Sequence, residues 1–219
     1  IGENRMKVLV YVEGESDRVS MGSLLGPLIQ QKRQQGVQID FFVSPTGHKK
    51  KNLLTKVPQK AVNIIRNAPD SQVVIIPDLY PPNVAFPHST AEELIEGIYK
   101  YFLEILHQKQ VKEEKSFIQR LKVFCFKYDL EALLLAAEDE LRNVLGIKSS
   151  KREWIVPVED QNHDNPPRKI VEKLFQKSGN QYNQVIDAPL ILKKCNYWDI
   201  AEACQQCFKP FIEFLECVP

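Results

Sequence analysis

The chain has 219 residues, 43% of them hydrophobic and 26% charged, enough apolar material for one substantial core and ordinary for a soluble globular protein. Its 29 Lys and Arg nearly balance 28 Asp and Glu, so no global basic field draws it to nucleic acid or to an anionic membrane, and any such binding has to be local. Five cysteines without dense spacing, no signal peptide and no apolar run of membrane-spanning length argue against a secreted disulfide scaffold or a membrane protein, and predict a reducing, cytoplasmic setting.

Residues 1–5 precede Met6 without periodicity and read as a loose leader. The apolar, β-branched run that begins near residue 7 stops at Glu13-Gly14-Glu15-Ser16-Asp17. That pattern predicts a buried parallel strand delivering acidic side chains into a turn. Met21, Leu24, Leu25 and Leu28 recur at helical spacing behind it, with Ser16 as N-cap and Asp17 in the first turn. Ligands of open α/β sheets bind outside the carboxyl ends of the strands, where Glu13 and Asp17 would lie. The alternative is that the acids only complement the helix dipole.

Gly36 suits a helix C-cap, and residues 38–44 predict a second strand ending at Pro45-Thr46-Gly47. The basic stretch His48-Lys49-Lys50-Lys51 follows as a loop, fit to hold a phosphate backbone or simply to face water. Residues 58–67 predict a crossover helix. The run 72–77 predicts a third buried strand that delivers Asp78. Two parallel strands joined by one crossover, each ending in a carboxylate, meet the oxygen-ligand demand of a hard divalent cation. Thr90 and Glu93 form a capping box ahead of an amphipathic helix carrying Leu94, Ile98, Phe102 and Ile105.

Residues 120–127 alternate like a half-buried strand, after which Glu131 opens a helix of leucines and alanines. A carboxylate in that company needs a metal, an arginine or amide donors. Residues 154–158 predict a short strand running into a polar loop with His163, and Pro166-Pro167 before Arg168 predict a helix start that can hold an anion. In the last stretch Ile200, Cys204, Cys207, Phe208 and Phe211 form a helical apolar stripe interrupted at Pro210. The CxxC lies on that face without a second CxxC, as core cysteines do, with zinc or redox chemistry as the alternative.

The stretches VEGESD, PDLYPP, KYDLEALLLA, VEDQNHDNPPRKI, QYNQVIDAPLIL and EACQQCFKPFIEFLE together resemble the bacterial domain-of-unknown-function family 4276, which is Toprim-like and related to nucleases of the overcoming-lysogenization type. The resemblance implies an α/β fold, with a mostly parallel central sheet flanked by helices. It covers residues 6–219 as one domain, a sheet core at 6–150 and an α-rich extension at 151–219. It implies magnesium, or manganese, serving phosphodiester chemistry, with Glu13 matching the glutamate of the first strand and Asp78 the first acid of a DxD pair. The chain departs from that pattern at Tyr80, where the second acid would stand, at Gln184 in place of a lysine, and near Pro167 in place of a serine. Genes of related proteins often neighbour ATPases, which implies an ATPase partner in a defence or DNA-repair system.

Two functions follow as expectations. In the first, a phosphodiesterase or nuclease, Glu13, Asp17, Asp78 and Glu131 converge on Mg²⁺, Glu131 completes the shell or acts as general base, and Arg168 with the 48–51 stretch steadies the phosphate. In the second, the protein is a non-catalytic adaptor or effector that binds an ATPase or nucleic acid, favoured by an exposed apolar patch near the C-terminus.

Overall fold

Four short apolar runs pair into one parallel sheet in the computed structural model of the chain, which describes residues 6–83, 86–148 and 151–219. The expected leader at 1–5 lies outside the described residues. In chain order the elements of the first stretch are β1 (Met6–Val12), α1 (Glu15–Leu24), α2 (Gly26–Gln34), β2 (Val37–Val43), α3 (Lys49–Asn67), β3 (Ser71–Ile76), α4 (Ala91–Gln108), α5 (Glu114–Arg120) and β4 (Leu121–Val123). The remainder is helical: α6 (Glu131–Ala136), α7 (Glu138–Leu145), α8 (Pro167–Lys177), α9 (Gln184–Leu192), α10 (Tyr197–Ala203) and α11 (Phe208–Cys217). The fold is therefore α/β with a parallel sheet flanked by helices, as the sequence and its resemblance predict.

The described chain divides into two units, each taken by itself. The first comprises, of the described residues, 6–14, 28–83, 86–125 and 218–219, and holds the four-stranded sheet, in the order β2-β1-β3-β4. Val12 faces Ile76 of β3 and Val43 of β2 in register, so the strands end level and Glu13 and Asp78 leave from one edge. Val73, Val74 and Ile75 are all fully buried, the mark of a central parallel strand covered on both faces. Leu53, Leu54, Val57 and Ile65 of α3 and Leu94, Ile98 and Phe102 of α4 pack against Tyr11, Val73 and Ile75. The terminal residues 218–219 join this unit through Lys32, whose Nζ donates to the Val218 carbonyl at 2.6 Å.

The second unit comprises, of the described residues, 15–27, 126–148 and 151–217, and its named elements are helices. α1 packs along α9, and α6 is surrounded by α8, α9 and α10. Leu133, Leu134 and Leu135 of α6 are buried with Val171, Ile191, Ile200, Phe208 and Phe211.

Several local expectations shift. The first helix stops at Leu24 because Gly26-Pro27 opens a new one, proline being at home in a first turn; Leu28 is core, but on α2. The basic stretch is no loop: Lys49–Lys51 form the first turn of α3, which runs on through Pro58. Ser44 Oγ and Asn52 Nδ2 tie that turn to the end of β2 by donating to the carbonyls of Lys49, Pro45 and Thr46. The fourth strand shrinks to three residues, since α5 runs up to Arg120 and only Leu121–Val123 pair with β3. Residues 154–158 form no ladder, and a 3₁₀ turn, Val158–Asp160, follows Pro157, whose ring lacks an N–H donor. Pro210 falls in the first turn of α11, where it is tolerated, and the break lies earlier, between α10 and α11. Gly36, at φ +86°, and the Thr90 cap are as predicted.

Candidate functional site

Among the described residues, each unit carries a pair of acidic residues at least half removed from solvent. In the first unit Glu13 stands one residue beyond β1 and Asp78 two beyond β3. The Asp78 amide donates to Glu13 Oε1 at 3.0 Å, so the two strand ends are bonded across the edge. Lys50, the second residue of α3, reaches the same edge and donates from Nζ to the Pro81 carbonyl at 2.5 Å. Burial pushes the Glu13 carboxyl up, while the Lys50 charge, the Asp78 amide and Lys49 pull it back. Burial pulls the Lys50 ammonium down, opposed by Glu13, Asp78 and Cys125. His48, Lys49 and Lys51 are exposed, so of the basic stretch only Lys50 turns inward.

In the second unit Glu131 is fully buried at the start of α6. Tyr182 Oη donates to its Oε1 at 3.0 Å. Asp129 stands beside it and accepts from the Arg168 amide at 3.3 Å. Burial, then the Asp129 charge, raises Glu131 to about 8, and burial raises Asp129 to about 6 despite Arg168. Glu131 Oε2 and Asp129 Oδ1 are buried and have no hydrogen-bond partner among the described residues. Both carboxyls therefore hold their protons to higher pH than solvated ones do, with burial the largest cause for each. Burial and the Glu131 charge drive the Tyr182 hydroxyl well up, so it stays a donor.

Of the residues picked from sequence, the structure thus joins Glu13, Asp78 and Lys50 in one unit, and Glu131 and Arg168 in the other. Asp17 is buried, at 6% exposure, on α1 of the second unit. Among the described residues, no group of three or more His, Cys, Asp or Glu side chains is arranged to hold a metal ion. His163 packs edge-on to Tyr128 with ring centroids 5.6 Å apart. Cys204 and Cys207 are buried and form no disulfide, and burial pushes the Cys204 thiol far up, as in an inert core cysteine. Sequence reasoning missed Asp129, Tyr182 and Glu159. Asp129 showed one signal, an acid two residues before a glutamate among leucines. Glu159 sat unnoticed in a polar loop, yet it is buried and accepts from the amides of Gln206 and Cys207 at 2.6 and 2.9 Å, holding the turn before α11.

Fold and site together define an α/β protein with paired carboxylates at the carboxyl edge of a parallel sheet. The chain belongs to the family described as "Domain of unknown function (DUF4276)", whose family model matches residues 12–216. It is similar to the solved structure of the C-terminal region of the Burkholderia pseudomallei OLD protein, at 15% identity and a TM-score of 0.46, over 95% of this chain and 96% of that one. No curated protein matches it. Among the described residues no helix is long and apolar enough to cross a membrane.

Proposed function

We propose that this protein is a Mg²⁺- or Mn²⁺-dependent phosphodiesterase acting on nucleic acid, in concert with an ATPase of a bacterial defence or repair system. The observation that carries this reading is the Glu13–Asp78 pair, two acidic residues at adjacent ends of one parallel sheet, joined by the bond from the Asp78 amide to the Glu13 carboxylate. Oxygen donors in this number suit a hard divalent cation, which binds through one or two carboxylates and keeps several waters. When bound, such a cation polarises a phosphoryl oxygen and lowers the pKa of the attacking water. Glu13 and Asp78 would hold it. The exposed His48, Lys49 and Lys51 would steady the phosphate backbone at the start of α3. Asp17, Glu131 and Arg168 remain part of the proposed machinery, each to be tested by its own substitution.

The partner enters through the resemblance and two features of the chain. Near-zero net charge supplies little non-specific grip on nucleic acid. Tyr80 stands where a second acid is expected, which loosens the hold on a cation. We therefore expect DNA and RNA cleavage with Mg²⁺ or Mn²⁺ to be weak for the isolated chain, to rise with the ATPase present, and to vanish in Glu13→Gln. Efficient cleavage by the chain alone, unchanged in Glu13→Gln, contradicts the proposal.

One observation favours a second reading, a non-catalytic adaptor. Val185, Ile186 and Leu190 of α9 are 45, 56 and 59% exposed, an apolar face of the kind that marks interaction surfaces. An adaptor would bind the ATPase through α9 and show no metal-dependent cleavage in any combination.

A further inference from the structure

The first turn of α3 is locally unfavourable: Lys49, Lys50 and Lys51 sit at the positive end of a 19-residue helix whose first turn has no acid. Natural sequences that break a local rule usually do so at functional sites. His48, Lys49 and Lys51 keep their charge in water, but Lys50 folds inward and binds the Pro81 carbonyl three residues beyond Asp78. That bond holds its charge at the sheet edge where Glu13 and Asp78 lie, each interacting with it electrostatically, and it is the largest influence favouring the charged form of Glu13. An ammonium and a divalent cation that answer the same two carboxylates compete for them, because neither carboxylate can be fully neutralised twice.

We infer that Lys50 is the resident counter-cation of the Glu13–Asp78 pair, occupying its charge when no metal is bound and yielding it to an incoming divalent ion. This rests on the proposed metal-binding role of that pair and adds its regulation: Lys50 sets how much free metal the site needs. The flexible four-carbon stem lets the ammonium withdraw without moving the helix. Once withdrawn, it stands beside its exposed neighbours Lys49 and Lys51, adding to the charge offered to a phosphate.

The test uses the full chain without nucleic acid and has two readouts. Calorimetric titration with Mn²⁺ should show binding to the native chain that tightens about tenfold in Lys50→Met or Lys50→Gln, the change expected when a competing unit charge leaves a partly buried site. Lys50→Arg, which keeps the charge, should gain nothing. In metal-free buffer, Lys50→Met should lower the melting temperature of the native chain more than that of Glu13→Gln, because the pairing is already lost there. Mn²⁺ binding that is unchanged or weaker in both neutral variants overturns the competition while leaving the metal site standing. No Mn²⁺ binding by the native chain or any variant overturns the metal reading and the inference with it. Additive melting effects overturn the pairing whatever the metal does.

Discussion

At the scale of residues, the most loaded pair is Asp129 with Glu131. Folding raises both carboxyls, so between the ordinary carboxylate range and about pH 8 the native state holds more protons than the unfolded chain. Their contribution to stability is therefore greatest at the acid end of that window and is lost as pH rises through it. The slope approaches about 1.4 kcal/mol per pH unit for one proton. Melting temperature measured from pH 5 to 9 should fall across this window in the native chain and flatten in Glu131→Gln; equal slopes in the two proteins would mean that folding does not raise the Glu131 carboxyl. Tyr182→Phe keeps the ring and removes the donor to Glu131 Oε1, so it should destabilise by about 1–2 kcal/mol, the usual cost of an orphaned buried acceptor, read by denaturant unfolding. Glu131 was legible as a residue in need of a partner because leucines flank it. Its partners were not legible, since Tyr182 lies 51 positions away and no local pattern connects them.

Elements with one dominant signal were the most readable. β1 and β3 are uninterrupted apolar runs because both faces are covered, and such runs stand out in any sequence. α4 declared itself by stripe and cap together: Thr90 Oγ1 accepts from the Glu93 amide at 3.2 Å, while the Glu93 carboxylate accepts from Ser89 at 2.6 Å. Thr90→Ala should cost about 1 kcal/mol, and a urea midpoint unmoved by the substitution would show that the cap is idle. β4 and α3 were misjudged for opposite reasons. The alternation of residues 120–127 outlasts the ladder, which pairs only Leu121–Val123 with Val73–Ile75. The start of α3 looked like a loop because lysines at a helix N-terminus oppose the dipole, and only side chains from neighbouring backbone, Ser44 and Asn52, reveal why the helix begins there.

For the whole molecule, the informative feature is that the second unit draws Glu15–Pro27 from near the start of the chain and the rest from beyond residue 125. Its α1 packs on α9, so a fragment of residues 126–217 alone would bare the α1 face of that helix. That fragment should unfold without cooperativity or bind a hydrophobic dye, whereas the fragment with residues 15–27 linked to it should melt as a unit; a cooperative transition in the shorter fragment would refute the assignment of α1. Sequence reading could not foresee this, because contact between segments more than 150 residues apart leaves no local trace. The proposed function rests on one local claim, that Glu13 and Asp78 hold a divalent cation. Its most direct test is a crystal soaked in Mn²⁺ and measured at the manganese edge. An anomalous peak bound by oxygens of both Glu13 and Asp78, and absent in Glu13→Gln, is the result expected; well-ordered Glu13 and Asp78 side chains with no peak between them would contradict it.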